Sequence, residues 1–116
     1  MKFGITVSQI NEVDLVVQAE NAGYDFCWVW DSPMIRSNLW ALLALVAERT
    51  SRISIGPGVA IPALSMAPVT ANAIATINAI APGRTFLGVG TGNTALRAMG
   101  QVPMTIQALE AQLKVI

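Results

Sequence analysis

The sequence predicts an α/β fold made of parallel (β/α) units of the TIM-barrel type, amounting to about half a barrel. Three observations carry this. Strand-like and helix-like stretches alternate strictly along the chain, the strands start near residues 2, 25, 52 and 84, and each strand is followed by apolar residues at helical spacing. Such alternation implies parallel strands joined by right-handed crossovers, because a parallel neighbour is reached only through a long connection. A closed barrel needs about eight strands and about 250 residues. The four units found in these 116 residues supply about half of one.

Lys2–Val7 (KFGITV) reads as the first strand. Asn11 suits a helix N-cap, Val13, Val16 and Val17 follow at helical spacing, and Gly23 ends that helix. Asp25–Trp30 (DFCWVW) is rich in aromatic and β-branched residues, as strands buried on both faces are. After a loop, Asp31–Asn38, the residues Leu39, Leu42, Leu43 and Val46 form one stripe of a second helix, and Glu48 and Arg52 are spaced to pair near its end. Arg52–Ile55 begins a third strand that runs into Gly56-Pro57-Gly58-Val59. The ladder must be interrupted there, since proline lacks a donor and glycine accepts unusual backbone angles, so a bend is expected. Pro68, preceded by Ser65 or Ala67, opens a third helix with Val69, Ala73, Ile77 and Ile80 on one face until Pro82-Gly83 stops it. Arg84–Val89 is the fourth strand, and Thr105 caps a last helix with Ile106, Leu109 and Leu113 directed inward.

Charged residues make up 12% of the chain and apolar residues 53%, where soluble domains carry about 25% charged residues. Alanine, tolerated on surfaces, accounts for part of the excess. The rest points to surface covered by another chain or by a continuation of this one. The seven basic and seven acidic side chains cancel without forming a run, which argues against capture of nucleic acid or anionic membrane. The longest apolar run, Leu39–Ala47, is about half of the roughly 20 residues a spanning helix needs. The opening MKFGITVSQINEVD lacks a signal-peptide core, so the protein reads as cytoplasmic. Cys27 is a single cysteine and there is no histidine; internal disulfides and the usual zinc, haem and histidine-based nucleophile arrangements are excluded, and no metal site is expected. Any catalysis must use a borrowed cofactor, carboxylates, hydroxyls or backbone groups.

In parallel α/β folds reactive groups gather where strands end and helices begin. Three such loops stand out: Asp31-Ser32-Pro33, Gly58-Val59-Ala60-Ile61-Pro62 and Gly90-Thr91-Gly92-Asn93-Thr94. The glycine-rich loop offers free amides and no Cβ atoms, so an anion or a flat ring can approach closely. Gly90–Ala95 also fits the dinucleotide pattern GxGxxA, with Glu110 about 20 residues onward. In a Rossmann domain, however, that pattern follows the first strand, whereas here three units precede it. Tight turn, flavin-type binding and nicotinamide binding therefore remain open for this loop. Asp31 falls at the rim, where burial would raise its pKa and a cation would lower it; Asp-Ser-Pro equally suits an Asx turn or cap. Trp28 and Trp30 either line a ring pocket or pack in the core, and Cys27 reads as an inert buried thiol.

The stretches AENAGYDFCWVWDSPM, ALLALVAERTSRISIGPGVAIP and PGRTFLGVGTGNTALRAMG together cover nearly the whole chain. They resemble the luciferase-like monooxygenase superfamily, and within it are most similar to the coenzyme F420-dependent methylenetetrahydromethanopterin reductase subgroup. The resemblance implies a (β/α)8 barrel that binds FMN or F420 at its C-terminal rim, with residues 1–116 as its N-terminal, truncated half. It implies a bulge with a non-proline cis peptide at Gly58-Val59, backing the ring. It also implies cofactor-binding positions at Ser32, Gly58, Val59, Ala60, Gly90, Thr91, Gly92, Asn93 and Thr94, with Asp31 as the catalytic candidate. Three departures matter. Many relatives carry Asp-His or Glu-His where this chain has Asp31-Ser32, reductase relatives often have an acid where it has Asn93, and His-Pro is replaced by Ala67-Pro68. The later loops that hold the cofactor's phosphate in relatives are not among these 116 residues.

The sequence thus reads as part of a flavin- or F420-dependent oxidoreductase acting on a small-molecule substrate by hydride transfer or oxygen insertion. It is expected to be inactive alone, and to be a homo-oligomer or to miss its C-terminal half, since open sheet edges invite pairing. The alternatives are a non-catalytic half barrel that self-associates and a nicotinamide-binding domain.

Overall fold

Three short strands, β1 (Gly4–Val7), β2 (Phe26–Val29) and β3 (Ser54–Pro57), pair in parallel in that order in the computed structural model, which describes all residues from Met1 to Ile116. Gly4 pairs with Phe26 and Phe26 with Ser54. This register puts Val7, Cys27, Val29 and Ile55 on one face, in the main core. The helices α1 (Val13–Asn21), α2 (Leu39–Arg49) and α3 (Ala67–Ile80) supply the rest of that core, and α2 is central to it, packing on α1, α3, β2 and β3. The expected α2 stripe is present: Leu42, Leu43 and Val46 are completely buried, each worth about 1.5–3 kcal/mol of burial. Asn38 caps this helix, its Oδ1 accepting from the N–H groups of Trp40 and Ala41 at 3.1 and 3.0 Å.

The other face of the sheet carries an aromatic layer. Phe26 stacks on Trp28 with ring centroids 5.5 Å apart, and Phe86 meets both at 6.3 and 6.0 Å. Gly4 and Gly56 make room for these rings, since a Cβ on either would collide with Trp28 or Phe86.

Arg84–Val89, expected as a fourth strand, is not a continuous one. It follows β3 through two isolated parallel bridges, Ile55 to Thr85 and Ala60 to Val89. Between them the β3 side advances five residues and its partner four. One surplus residue on one side is a β-bulge, and Pro57 has no N–H to offer the ladder, so regular pairing fails at the place where the sequence led us to expect a bend.

Charged groups brace the opposite, N-terminal end of the sheet. The Glu20 carboxylate accepts from the N–H groups of Ser51, Arg52 and Ile53 at 3.0, 2.6 and 2.8 Å. Arg84 donates to the carbonyls of Ala47, Thr50 and Ile53 at 2.9–3.0 Å. Together they satisfy the backbone of the turn that launches β3, where Ala47, Thr50 and Ile53 are buried and their groups would otherwise lack partners.

Several local expectations are corrected. Asn11 lies within a 3-10 turn, Ile10–Glu12, ahead of α1. The capping acceptor there is Glu12, whose Oε2 takes the N–H groups of Ser8 and Gln9 at 2.6 and 2.8 Å. Glu48 and Arg52 do not pair, because the chain becomes extended at Thr50 and carries Arg52 off the helix. Arg52 instead donates to the Glu20 carbonyl, and Arg49 bridges to Asp14 of α1 at 2.9 Å. On α3 the buried residues are Ala67, Thr70 and Ile77, while Val69 and Ile80 are half-exposed. A short helix, α4 (Asn93–Ala98), was not anticipated. The last helix, α5 (Ile106–Leu113), has the expected Thr105 cap, but Ile106 is 73% exposed and none of its residues is buried. Of its apolar stripe, Leu109 is partly buried while Ile106 and Leu113 stay exposed.

Candidate functional site

The segments that follow β2, β3 and the Arg84–Val89 stretch converge on one rim and enclose a cleft of about 410 Å³. Nine of the ten expected positions line it: Asp31, Ser32, Gly58, Val59, Gly90, Thr91, Gly92, Asn93 and Thr94. The tenth, Ala60, does not. It is 2% exposed and belongs to the core, because the bulge turns Val59, 41% exposed, toward the cleft and Ala60 away from it. Trp30 also lines the cleft, whereas Trp28 belongs to the aromatic layer of the sheet. Ile61 and Ala95 complete the lining. Ile61 belongs to the loop after β3, and Ala95, the last residue of the Gly90–Ala95 pattern, lies in the first turn of α4.

The bulge is tied down on both sides. Gly58 N–H donates to the Val29 carbonyl at 2.8 Å, Ala60 N–H to Gly88 at 2.8 Å, and Gly90 N–H to Ala60 at 3.0 Å. The Gly58–Val59 peptide bond is cis, as the resemblance implied. Two glycines are required by space or by backbone. A Cβ on Gly90 would stand 2.6 Å from Val59 Cγ2, so the glycine loop can lie directly against the bulge. Gly92, with φ +78°, occupies the left-handed region as the residue before α4.

Asp31 links two of the loops. Its Oδ2 accepts the Ile61 N–H at 3.0 Å. Burial pushes the Asp31 carboxyl above its ordinary pKa, and the Ile61 hydrogen bond offsets part of that rise. No other ionisable side chain lines the cleft. Asn93 is held by Arg97, whose Nε donates to its Oδ1 at 2.7 Å. Trp30 is 40% exposed, and its ring lies 5.3 Å from the Arg36 guanidinium. The lining therefore presents one carboxyl, the hydroxyls of Ser32, Thr91 and Thr94, an amide and glycine backbone, with no cation. Such a surface suits a flat, mostly neutral ring with a hydrogen-bonding edge better than a phosphate. Its volume falls within the range of small-molecule sites, about 300–1,000 Å³. Cys27 takes no part: it is buried beneath the sheet, and burial pushes its thiol up to about 12.

Fold and cleft together define a parallel α/β protein of the barrel type, with its ligand-sized hollow at the C-terminal ends of the strands. The family model described as luciferase-like monooxygenase matches residues 6–111, and the chain belongs to that family. It is 39% identical over 97 residues to the 5,10-methylenetetrahydromethanopterin reductase of Archaeoglobus fulgidus, a match covering 80% of this chain and 29% of the relative. Among solved structures it superposes on the coenzyme F420-dependent tetrahydromethanopterin reductase of Methanopyrus kandleri with a TM-score of 0.77 at 30% identity, covering 85% of this chain and 30% of that one. The oxygenating constituent of 3,6-diketocamphane monooxygenase from Pseudomonas putida, in complex with FMN, shares the fold, with a TM-score of 0.76 at 22% identity, covering 86% of this chain and 33% of that one. The chain thus spans about three tenths of the length of the first relatives it matches. No helix is long and apolar enough to cross a membrane.

Proposed function

We propose that the rim cleft receives the ring of F420 or FMN, and that the chain is the N-terminal part of an oxidoreductase that uses this cofactor for hydride transfer or oxygen insertion on a small-molecule substrate. The observation that carries this reading is the convergence of three separate loops, at residues 31–32, 58–59 and 90–94, on a single cleft of ring-binding size and composition. Val59 and Gly58 would back the ring. Gly90, Thr91, Gly92, Asn93 and Thr94 would line it, and Asp31 and Ser32 would meet its polar edge or the substrate. The redox chemistry belongs to the cofactor; the residues of this chain bind, orient and hold a proton at the Asp31 carboxyl. With no cation in the lining, the cofactor's phosphate must find its partners elsewhere, so we expect weak affinity and no turnover from residues 1–116 alone. F420 is favoured over FMN because relatives at 30% identity or more include proteins named as F420-dependent, the Methanopyrus kandleri reductase among them.

A fluorescence titration of the purified chain with FMN and with F420 tests the reading. Saturable quenching by either supports it, and flat responses to both would remove it. The self-associating, non-catalytic alternative predicts that flat response together with a size above that of the monomer in size-exclusion chromatography. The nicotinamide alternative is disfavoured by two observations. The strands run in simple sequence order, unlike a Rossmann sheet, and Glu110 is an exposed partner of Lys114 rather than an acid at a strand end.

A further inference from the structure

Asp31 borders two cavities. Behind the cleft lies a second pocket of about 220 Å³, and Asp31 and Ile61 line both, so these two residues form the wall between them. Leu39, Trp40 and Leu64 give the second pocket apolar surface, while Asn38, Ser65 and Thr70 give it polar groups. Thr70 is 3% exposed. The hydroxyls of Thr50 and Thr76 turn back to the carbonyls of Val46 and Asn72 at 2.6 and 2.8 Å. Thr70 makes no such bond and borders the pocket instead. The Asn38 Oδ1 is occupied by capping α2, which leaves its NH2 group as a donor. The Asp31 Oδ2 is occupied by Ile61, which leaves its other oxygen unpaired.

Of these residues Thr70 is buried, Asp31 half-buried and Asn38 exposed, and each keeps a hydrogen-bonding group that water can meet. The pocket has room for several waters at about 30 Å³ each, and it offers the two to four polar neighbours that hold a water in place. We propose that this pocket is a water site that hydrogen-bonds Asp31 from behind and connects it, through Thr70 and past Ser65, to solvent. The carboxyl would then release its proton to water, or take one back, while a ring covers the cleft in front. Thr70 is on this view a positioning residue, acting on Asp31 through water. No other ionisable group faces Asp31 across either cavity, whether from the start of α2, from α3 or from the loop after β3. Arg36, the charged group on its own loop, lies over the Trp30 ring. The catalytic use of the route rests on the cofactor reading above; the water site and its influence on the carboxyl do not.

The test follows the aspartate carboxyl carbons by NMR through a pH titration of the ligand-free chain. Asp31→Asn assigns the Asp31 signal, and Asp14 and Asp25 serve as internal references. Thr70→Val should raise the Asp31 midpoint by about 0.5–1 pH unit, because the ionised carboxylate loses a water held in position to donate to it. Thr70→Ser should restore the wild-type midpoint. Val69→Trp, placed at a half-exposed position of the same lining, should fill the pocket and reproduce the rise without touching the hydroxyl. Unchanged midpoints in Thr70→Val and Val69→Trp, with native amide spectra, would overturn the proposal, and Val69→Trp alone decides it should Thr70→Val fail to fold. Failure of FMN and F420 to bind in the separate titration would leave this result standing and sink only the cofactor reading.

Discussion

Replacing Glu20 by alanine removes the acceptor for three backbone N–H groups in the turn that launches β3. The three losses are not equal. Ser51 and Arg52 are exposed, so water can replace the carboxylate there, whereas Ile53 is completely buried and its N–H is left without a partner. A hydrogen bond to a charged group contributes about 1.5–3 kcal/mol. One full loss and two partial ones amount to about 3 kcal/mol, or a Tm lower by about 12 °C in a domain of this size. Glu20→Gln keeps one acceptor oxygen and should cost about half as much.

The two variants also separate charge from geometry. Burial alone would push the Glu20 carboxyl up, but the amides of Ile53, Arg52 and Ser51, helped by the charge of Arg84, outweigh it and hold the pKa below its ordinary value. A lowered folded-state pKa means that the charge-dependent stabilisation is complete above the unfolded value of about 4.3 and is lost as pH falls through the lowered one. Urea denaturation, followed by circular dichroism from neutral to acid pH, should show the wild type losing its advantage over Glu20→Gln at the acid end. A Glu20→Ala protein within about 0.5 kcal/mol of the wild type at pH 7, or a wild-type advantage over Glu20→Gln unchanged in acid, would refute the reasoning.

Three further outcomes are expected. Asp31→Asn keeps an oxygen for the Ile61 N–H and removes a carboxyl whose pKa burial has raised. It should therefore be more stable than the wild type at neutral pH and equal to it once the pH falls below the unfolded aspartate value of about 3.9, as denaturation at the two pH values would show. Gly90→Ala drives a Cβ to 2.6 Å from Val59 Cγ2. It should lower stability by about 1–3 kcal/mol in a thermal melt, and adding Val59→Ala should recover most of that. Gln112 holds its Oε1 buried without a hydrogen-bond donor, so Gln112→Leu should raise stability by about 1 kcal/mol in the same melt.

Most of the parallel architecture was legible in the sequence, because alternating apolar runs and punctuation by Gly23, Pro57 and Pro82-Gly83 report local structure directly. The site was legible for a related reason. In a parallel fold the loops after successive strands must share one rim, so Asp31, Val59 and Gly90–Thr94 met as expected. What was missed depended on counting or on a partner surface. The surplus residue between Ile55 and Ala60, which hides Ala60 and breaks the fourth strand, has no signature beyond Pro57 and its glycines. The stripe of Ile106, Leu109 and Leu113 marks an amphipathic helix, but periodicity says nothing about whether a surface lies opposite. Helix α4, at six residues, is too short to show a period at all. Glu12 displaced Asn11 as cap because a 3-10 turn moved the start of the helical run, a shift of register that the residue types do not announce.

The three tryptophans occupy three different regions of the molecule. Trp28 reports on the aromatic layer of the sheet, Trp30 on the cleft and Trp40 on the pocket behind Asp31. Variants retaining one indole apiece would convert the chain into a set of optical probes. Ring binding, entry of solvent behind the carboxyl and packing of another polypeptide on the aromatic layer would then each give a separate emission signal, with no attached dye.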